Sequence, residues 1–157
     1  MSINAEQLRL HVLRPTLQHL DLWSQAAENL VLGTILTESR GEYLKQVGGG
    51  PALGVIQMEP ATHDDIWINW LRYKRTLAMK VRELETAARI TLGAQELTGN
   101  LYYAAAMCRI FYRRLPDALP EAGDPVGMAQ LWKHRYNTEL GAGTVSEAIP
   151  HFKRACQ

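Results

Sequence analysis

Cysteine is scarce in this chain. Its 157 residues include two, Cys108 and Cys156, far apart and outside any metal-ligand or redox spacing. A disulfide framework and a cysteine-built zinc site are therefore excluded, and both thiols are expected to be buried or idle. Long apolar runs are also missing: none approaches the roughly 18 residues of a membrane span, so no membrane insertion is expected. The start, Met1-Ser2-Ile3-Asn4-Ala5-Glu6, has neither a basic segment nor an apolar core. No signal peptide is expected, and the product is expected to be made in the cytoplasm. An excess of one charge is absent as well. Lys and Arg number 17 against 16 Asp and Glu, a net charge of +1, too weak a field to imply nucleic acid. Gly48-Gly49-Gly50 is not followed by a lysine and a helix start, so it is no phosphate loop. His63-Asp64-Asp65 is the one histidine–acid cluster, and its spacing does not put ligands on one helix face. Neither a metal nor a cofactor is expected.

What is present is ordinary globular material, 46% hydrophobic and 21% charged, which argues against disorder. The length suits one domain, residues 1–157, with 1–23 as an N-terminal helical extension. Apolar periodicity is helical almost throughout. The expected helices run from Ala5 to Arg14, where Pro15 ends or bends the chain, and from the N-cap Ser24 to Arg40. Others follow from Pro60 to about Tyr73, from Lys74 to Ile90, from Asn100 to Arg114, and from the Asp124-Pro125 start until Gly141 and Gly143. Thr144-Val145-Ser146-Glu147 is a capping box opening a last helix to about Arg154. Leu53–Met58 reads as a short extended element. The expected class is mainly α, a compact lysozyme-like helical domain with a minor β element near 53–58. Basic residues cluster in two runs, Arg72, Lys74, Arg75, Lys80, Arg82 and Arg109, Arg113, Arg114. Solvated helix faces account for such runs, as does attraction to an anionic polymer such as a bacterial cell wall.

Within this frame one carboxyl group has a distinctive place. Ala27, Val31, Ile35 and Glu38 follow at spacings of four, four and three, so they share one helix face. Glu38 extends the core-facing stripe at the C-terminal end of its helix. Apolar burial and the negative end of the helix dipole both favour the neutral acid there. A carboxyl kept protonated near neutral pH can deliver a proton to the leaving oxygen of a glycosidic bond.

The segments that follow carry a resemblance. Glu38-Ser39 closes a helix; then come Gly54-Val55-Ile56-Gln57, with Pro60 and Thr62 just downstream. Asn100-Leu101 opens a helix holding Tyr112, and Tyr136-Asn137 precedes Gly141-Ala142-Gly143-Thr144-Val145. In this order the motifs resemble those of the soluble lytic transglycosylases and their goose-type lysozyme relatives, over about Leu30 to Val145. Arg14-Pro15-Thr16-Leu17, Leu22-Trp23-Ser24 and Thr62-His63-Asp64-Asp65-Ile66-Trp67 are similar to small transglycosylase-like proteins among phage virion genes. There are two departures. The serine often found before Gly-Leu-Met-Gln is replaced by Gly48-Gly49-Gly50, and the tight Tyr-Asn-Ala-Gly is stretched over Tyr136 to Gly141.

The resemblance implies that Glu38 is the single acid/base. It implies that Gln57, Tyr136 and Asn137 bind the sugar chain, with Tyr136 reaching toward the carboxyl, and that Ser39 and Gly54 support the site. Read on their own, Gln57 is equally a loop-capping amide and Tyr136 a core aromatic. The implied reaction cleaves the bond between N-acetylmuramic acid and N-acetylglucosamine. Glu38 first donates its proton, then accepts one from the sugar's 6-hydroxyl, closing a 1,6-anhydro ring. An inverting hydrolase would need a second carboxylate, for which Glu59, Asp64 and Asp65 are the candidates. The implied partners are peptidoglycan glycan strands and other phage virion or tail proteins, with the protein carried in the virion and acting at the host wall. The alternative is a structural virion or tail component that keeps the fold without the activity. Trp67 and Trp70 fit either a core or a sugar groove.

Overall fold

The computed structural model describes residues 2–157; Met1, the first residue of the expected extension, lies outside them. The chain is mainly helical, and among the described residues it contains no sheet. Helices α1 (Ala5–Leu8) and α2 (Arg14–His19) are joined without a break by a π-helical turn, Arg9–Leu13. Pro15 thus does not end the opening helix; it stands in the first turn of α2. It has no N–H to give, and the i→i+5 turn immediately before it spreads the backbone where its ring would otherwise clash. Leu8, Leu13 and Leu20 are buried in the one hydrophobic core, so the N-terminal segment is part of that core.

Helix α3 (Gln25–Glu38) is the axis of the molecule. Ser24 caps it, its hydroxyl accepting from the Ala27 N–H at 3.0 Å. Every residue from Ala27 to Leu36 is buried, so the helix has no solvent face there and the expected single stripe is too narrow a description. A helix that is apolar all round lies inside the core. Gly33 has a specific reason: a Cβ at this position would lie 2.2 Å from the ring of Phe152, which α9 (Val145–Ala155) presses against it. The helix ends at Glu38, two residues earlier than expected, where Arg40 takes a left-handed backbone with φ 56°.

The segment 45–58 forms isolated antiparallel bridges, Lys45 with Leu53 and Leu53 with Met58, in place of a strand. Helix α4 (Pro60–Asn69) starts at its proline as expected and ends four residues short of Tyr73, before a 3-10 turn over Leu71–Tyr73. Helix α5 (Arg75–Arg82) stops eight residues before the expected Ile90. The cause is distant: the Glu96 carboxylate accepts from the Thr86 N–H at 3.2 Å and its hydroxyl at 3.0 Å, drawing residues 83–86 off the helical path. After the short α6 (Glu96–Gly99), Asn100 caps α7 (Leu101–Arg113), accepting from the Tyr103 N–H at 3.0 Å and donating to Leu84 O at 2.7 Å. Helix α8 (Pro125–Leu131) passes into a second π-helical turn, Trp132–Asn137. That turn ends at Thr138, not at Gly141, and Thr138 has φ 66° and ψ 167°, a region almost reserved for glycine. The capping box at Thr144 and Glu147 is formed in full. Both cysteines are free, Cys108 buried and Cys156 half-buried. No helix of the described residues is long and apolar enough to cross a membrane.

Candidate active site

Three elements converge on Glu38: the end of α3, the 52–58 turn, and the π-helical turn after α8. They enclose a cavity of about 670 Å³ lined by Glu38, Gln57, Tyr136 and Asn137, with Glu59 and Thr62 also on its wall. The sequence-expected site residues are therefore brought together across about 100 residues of chain. Ser39 and Gly54 lie behind the cavity wall and build it. The buried Ser39 hydroxyl donates to the Val55 carbonyl at 2.6 Å and accepts from the Gly41 N–H at 3.1 Å, clamping the helix end to the turn. Gly54 has φ 71°, and a Cβ there would lie 2.1 Å from the Leu97 carbonyl oxygen. Only glycine satisfies both conditions.

Glu38 is mostly enclosed, and this burial raises its pKa from 4.5 to about 7. One hydrogen bond opposes the rise: the Trp132 indole N–H donates to Oε1 at 2.8 Å and favours the carboxylate. The other oxygen has no protein partner among the described residues, and Glu38 borders the cavity. A carboxyl poised near neutrality, oriented through one oxygen and open through the other, can donate and retake a proton on a bound ligand.

Trp132 is the site residue that sequence reasoning missed; the helix expected from Asp124-Pro125 spans it without singling it out. It lies four residues before Tyr136, a spacing that puts both on one face of a helix, so a signal existed in the register. Tyr136 does not reach Glu38 in the expected way: its hydroxyl donates to the Ile56 carbonyl at 2.8 Å. Its ring packs edge-on to Phe111 at 4.7 Å and stacks on Tyr112 at 5.6 Å. Tyr112 in turn donates to the Thr34 hydroxyl at 2.9 Å, since that hydroxyl gives its own proton to Leu30 O. Gln57, with φ 48°, caps its own turn by donating to Gly54 O at 2.9 Å, as its loop-capping reading expects, and it also lines the cavity. Asn137 Oδ1 accepts from Lys133 Nζ at 2.8 Å, and the same ammonium donates to Thr138 O and Gly141 O at 2.9 Å each. That ammonium holds the stretched loop in shape.

Of the remaining candidates, all but Glu59 fall outside. Glu59 is the one of the three alternative carboxylates on the cavity wall. Asp64 is paired with His63 Nδ1 at 2.8 Å and Asp65 with Arg114 at 2.6 Å. His63 points inward to the Tyr103 hydroxyl at 2.8 Å, which also accepts from the Trp67 indole at 3.0 Å. Among the described residues, no group of three or more His, Cys, Asp or Glu side chains is placed to hold a metal. Trp67 is tied into this core cluster and Trp70 faces a different cavity, so neither serves as a stacking wall for the Glu38 cleft.

Comparison of the chain with protein-family models, with curated proteins and with solved structures gave no match.

Because the Trp132 bond favours ionised Glu38, Trp132→Phe is expected to raise the Glu38 pKa further. The expected rise is about one unit, the size of one hydrogen bond to a charged group. Titration of the Glu38 carboxyl carbon by NMR checks this; an unchanged or lower pKa would contradict the assigned role.

Proposed function

We propose that this protein is a peptidoglycan lytic transglycosylase that cleaves the bond between N-acetylmuramic acid and N-acetylglucosamine, with Glu38 as its single acid/base. The observation that carries the proposal is a carboxyl with its pKa raised to about 7, facing a cavity of about 670 Å³. At neutral pH a useful fraction of Glu38 is protonated and can donate to the glycosidic oxygen. The substrate's own acetamido oxygen then stabilises the developing cation. Glu38, now a carboxylate, takes the proton of the 6-hydroxyl, whose oxygen closes the anhydro ring. The amides of Gln57 and Asn137 on the cavity wall are suited to sugar hydroxyl and acetamido groups. The resemblance to phage virion proteins supports carriage in the virion or tail, with action at the host wall.

A second reading has one observation in its favour. Glu59 shares the cavity with Glu38, and an inverting hydrolase needs a second carboxylate to activate water. Digestion of purified peptidoglycan, with mass spectrometry of the sugar ends, separates the two. Transglycosylation yields 1,6-anhydro ends and tolerates Glu59→Gln, whereas hydrolysis yields reducing ends and is lost in that variant. No product at any pH from 4 to 8 would sink both and leave a structural virion component.

A further inference from the structure

The two basic runs of the sequence, some 30 to 40 residues apart, meet in space. A second cavity, of about 690 Å³, is lined by Lys74, Arg75 and Lys80 from one run and by Arg113 and Arg114 from the other, with Trp70 beside them. It shares no lining residue with the Glu38 cleft. The two cavities flank the same helix end: Phe111 borders the cleft, whereas Arg113, two residues and about 200° further round α7, borders the groove.

Charge in this groove is not balanced from within. Asp21 is the one acidic residue on its wall, and it is taken up by Lys80. Arg114 is engaged by Asp65 at 2.6 Å through Nη1, while its buried Nε has no partner. Lys74, Arg75 and Arg113 are exposed and make no ion pair among the described residues. One turn before Arg113, the almost fully buried Arg109 donates through Nε to the carbonyl of Leu22, a residue of the groove wall. Its Nη1 is buried without an acceptor. A folded protein rarely leaves buried guanidinium donors unsatisfied beside further unpaired cations. The arrangement is short of acceptor oxygens and of negative charge.

We propose that this groove binds a phosphodiester-bearing chain of sugar or polyol units. Phosphate supplies several acceptor oxygens to guanidinium and ammonium groups at once, and arginine forks suit it. The Trp70 ring, with the Lys74 ammonium 5.5 Å from its centre, and the exposed Tyr73 ring give apolar faces for the carbon skeleton between phosphates. A pocket of this volume, on a chain of net charge +1, accommodates one or two such units and not a nucleic-acid duplex. The site does not depend on the function proposed for the Glu38 cleft.

The test is calorimetric titration of the full chain with poly(glycerol phosphate) at low and at physiological salt. Saturable binding that weakens with salt is expected. The triple variant Lys74→Gln, Arg75→Gln, Arg113→Gln should bind roughly tenfold or more weakly at unchanged melting temperature, because these side chains make no internal ion pair. Glu38→Gln should bind as the unmodified chain does, which keeps this result separate from the fate of the cleft. Phosphatidylglycerol vesicles, with phosphatidylcholine vesicles as control, ask whether the phosphodiester can come from a lipid headgroup. Preference for those vesicles over poly(glycerol phosphate), abolished in the triple variant, would overturn the polymer as occupant in favour of a lipid headgroup. Absence of binding to every phosphate probe, binding unaffected by the triple variant, or a tenfold preference for a single-stranded oligonucleotide would overturn the proposal.

Discussion

Glu38→Gln is expected to abolish the proposed bond cleavage and, at pH 8, to make the protein more stable. The expected loss follows from removing a proton donor on the cleft that is poised near neutrality, a change worth about 10²- to 10⁴-fold in general acid catalysis. The gain in stability follows from the same pKa. Burial raises it to about 7 in the folded chain, against 4.5 for an ordinary glutamate. Between those values the folded state holds a proton that the unfolded state has released. Stability contributed by Glu38 is thus complete below pH 4.5, falls as the pH rises, and is gone above about 7. The ionised side chain at pH 8 therefore costs on the order of 2–3 kcal/mol, partly relieved by water at the cavity mouth. Glutamine cannot ionise, and its carbonyl oxygen still accepts the Trp132 indole N–H. A rise in melting temperature of roughly 5–10 °C at pH 8, shrinking toward zero at pH 4, is expected for a chain of this size. Calorimetric scans at the two pH values check it. Equal shifts at both would mean that Glu38 is not a buried acid at all, and would remove the physical basis of the proposed catalysis.

How far the sequence revealed the architecture depended on the range of the interaction. The Ser24 cap, the Asp124-Pro125 start and the Thr144–Glu147 capping box are exchanges between neighbours, and each lies where the sequence places it. Helix α5 was misjudged because its end is set by Glu96, ten residues beyond Thr86, and no local propensity encodes that reach. The π-helical turns were missed for a related reason. The first adapts to Pro15 and the second ends at Thr138, and apolar spacing at the α-helical period reports neither. At the site, chain order and family likeness suggested Glu38, Gln57, Tyr136 and Asn137, and the cavity gathers all four. Their bonding was not legible. Tyr136 turns to the Ile56 carbonyl, and the hydrogen bond to Glu38 comes from Trp132, 94 residues away. The core-facing stripe pointed to the carboxyl that borders the cavity, although α3 is buried on every side from Ala27 to Leu36. What singles out Glu38 is that the chain opens into a cavity beside it, a tertiary feature.

The second large effect is expected at the other end of the same helix. Glu28→Ala should destabilise the protein by about 3–5 kcal/mol, a large part of the total stability of a typical domain. Glu28 is fully buried in the first turn of α3. Its carboxylate accepts from Arg9 Nη1 at 2.8 Å, from Arg14 Nε and Nη2 at 2.9 Å each, and from the Trp23 indole at 2.7 Å. Arg9 continues to the Ala155 carbonyl, so one acid ties α2, α3, the 20–24 link and the end of α9 together. Burial alone would raise its pKa, but the bonds from Arg14, Arg9 and Trp23 outweigh it and hold the value down at about 2. The stability it contributes is present above pH 4.5 and is lost as the pH falls toward 2, the reverse of Glu38. Removing the carboxylate leaves the Arg9 and Arg14 guanidinium groups without their counter-charge, which is why truncation costs more than the intact network contributes. Guanidinium chloride unfolding at pH 7 measures the loss, and a change below about 1 kcal/mol would show the network to be dispensable. Taken together, the two glutamates set opposing slopes. The chain's stability should decline below pH 4.5 through Glu28 and above it through Glu38, and Glu38→Gln should flatten the alkaline limb alone.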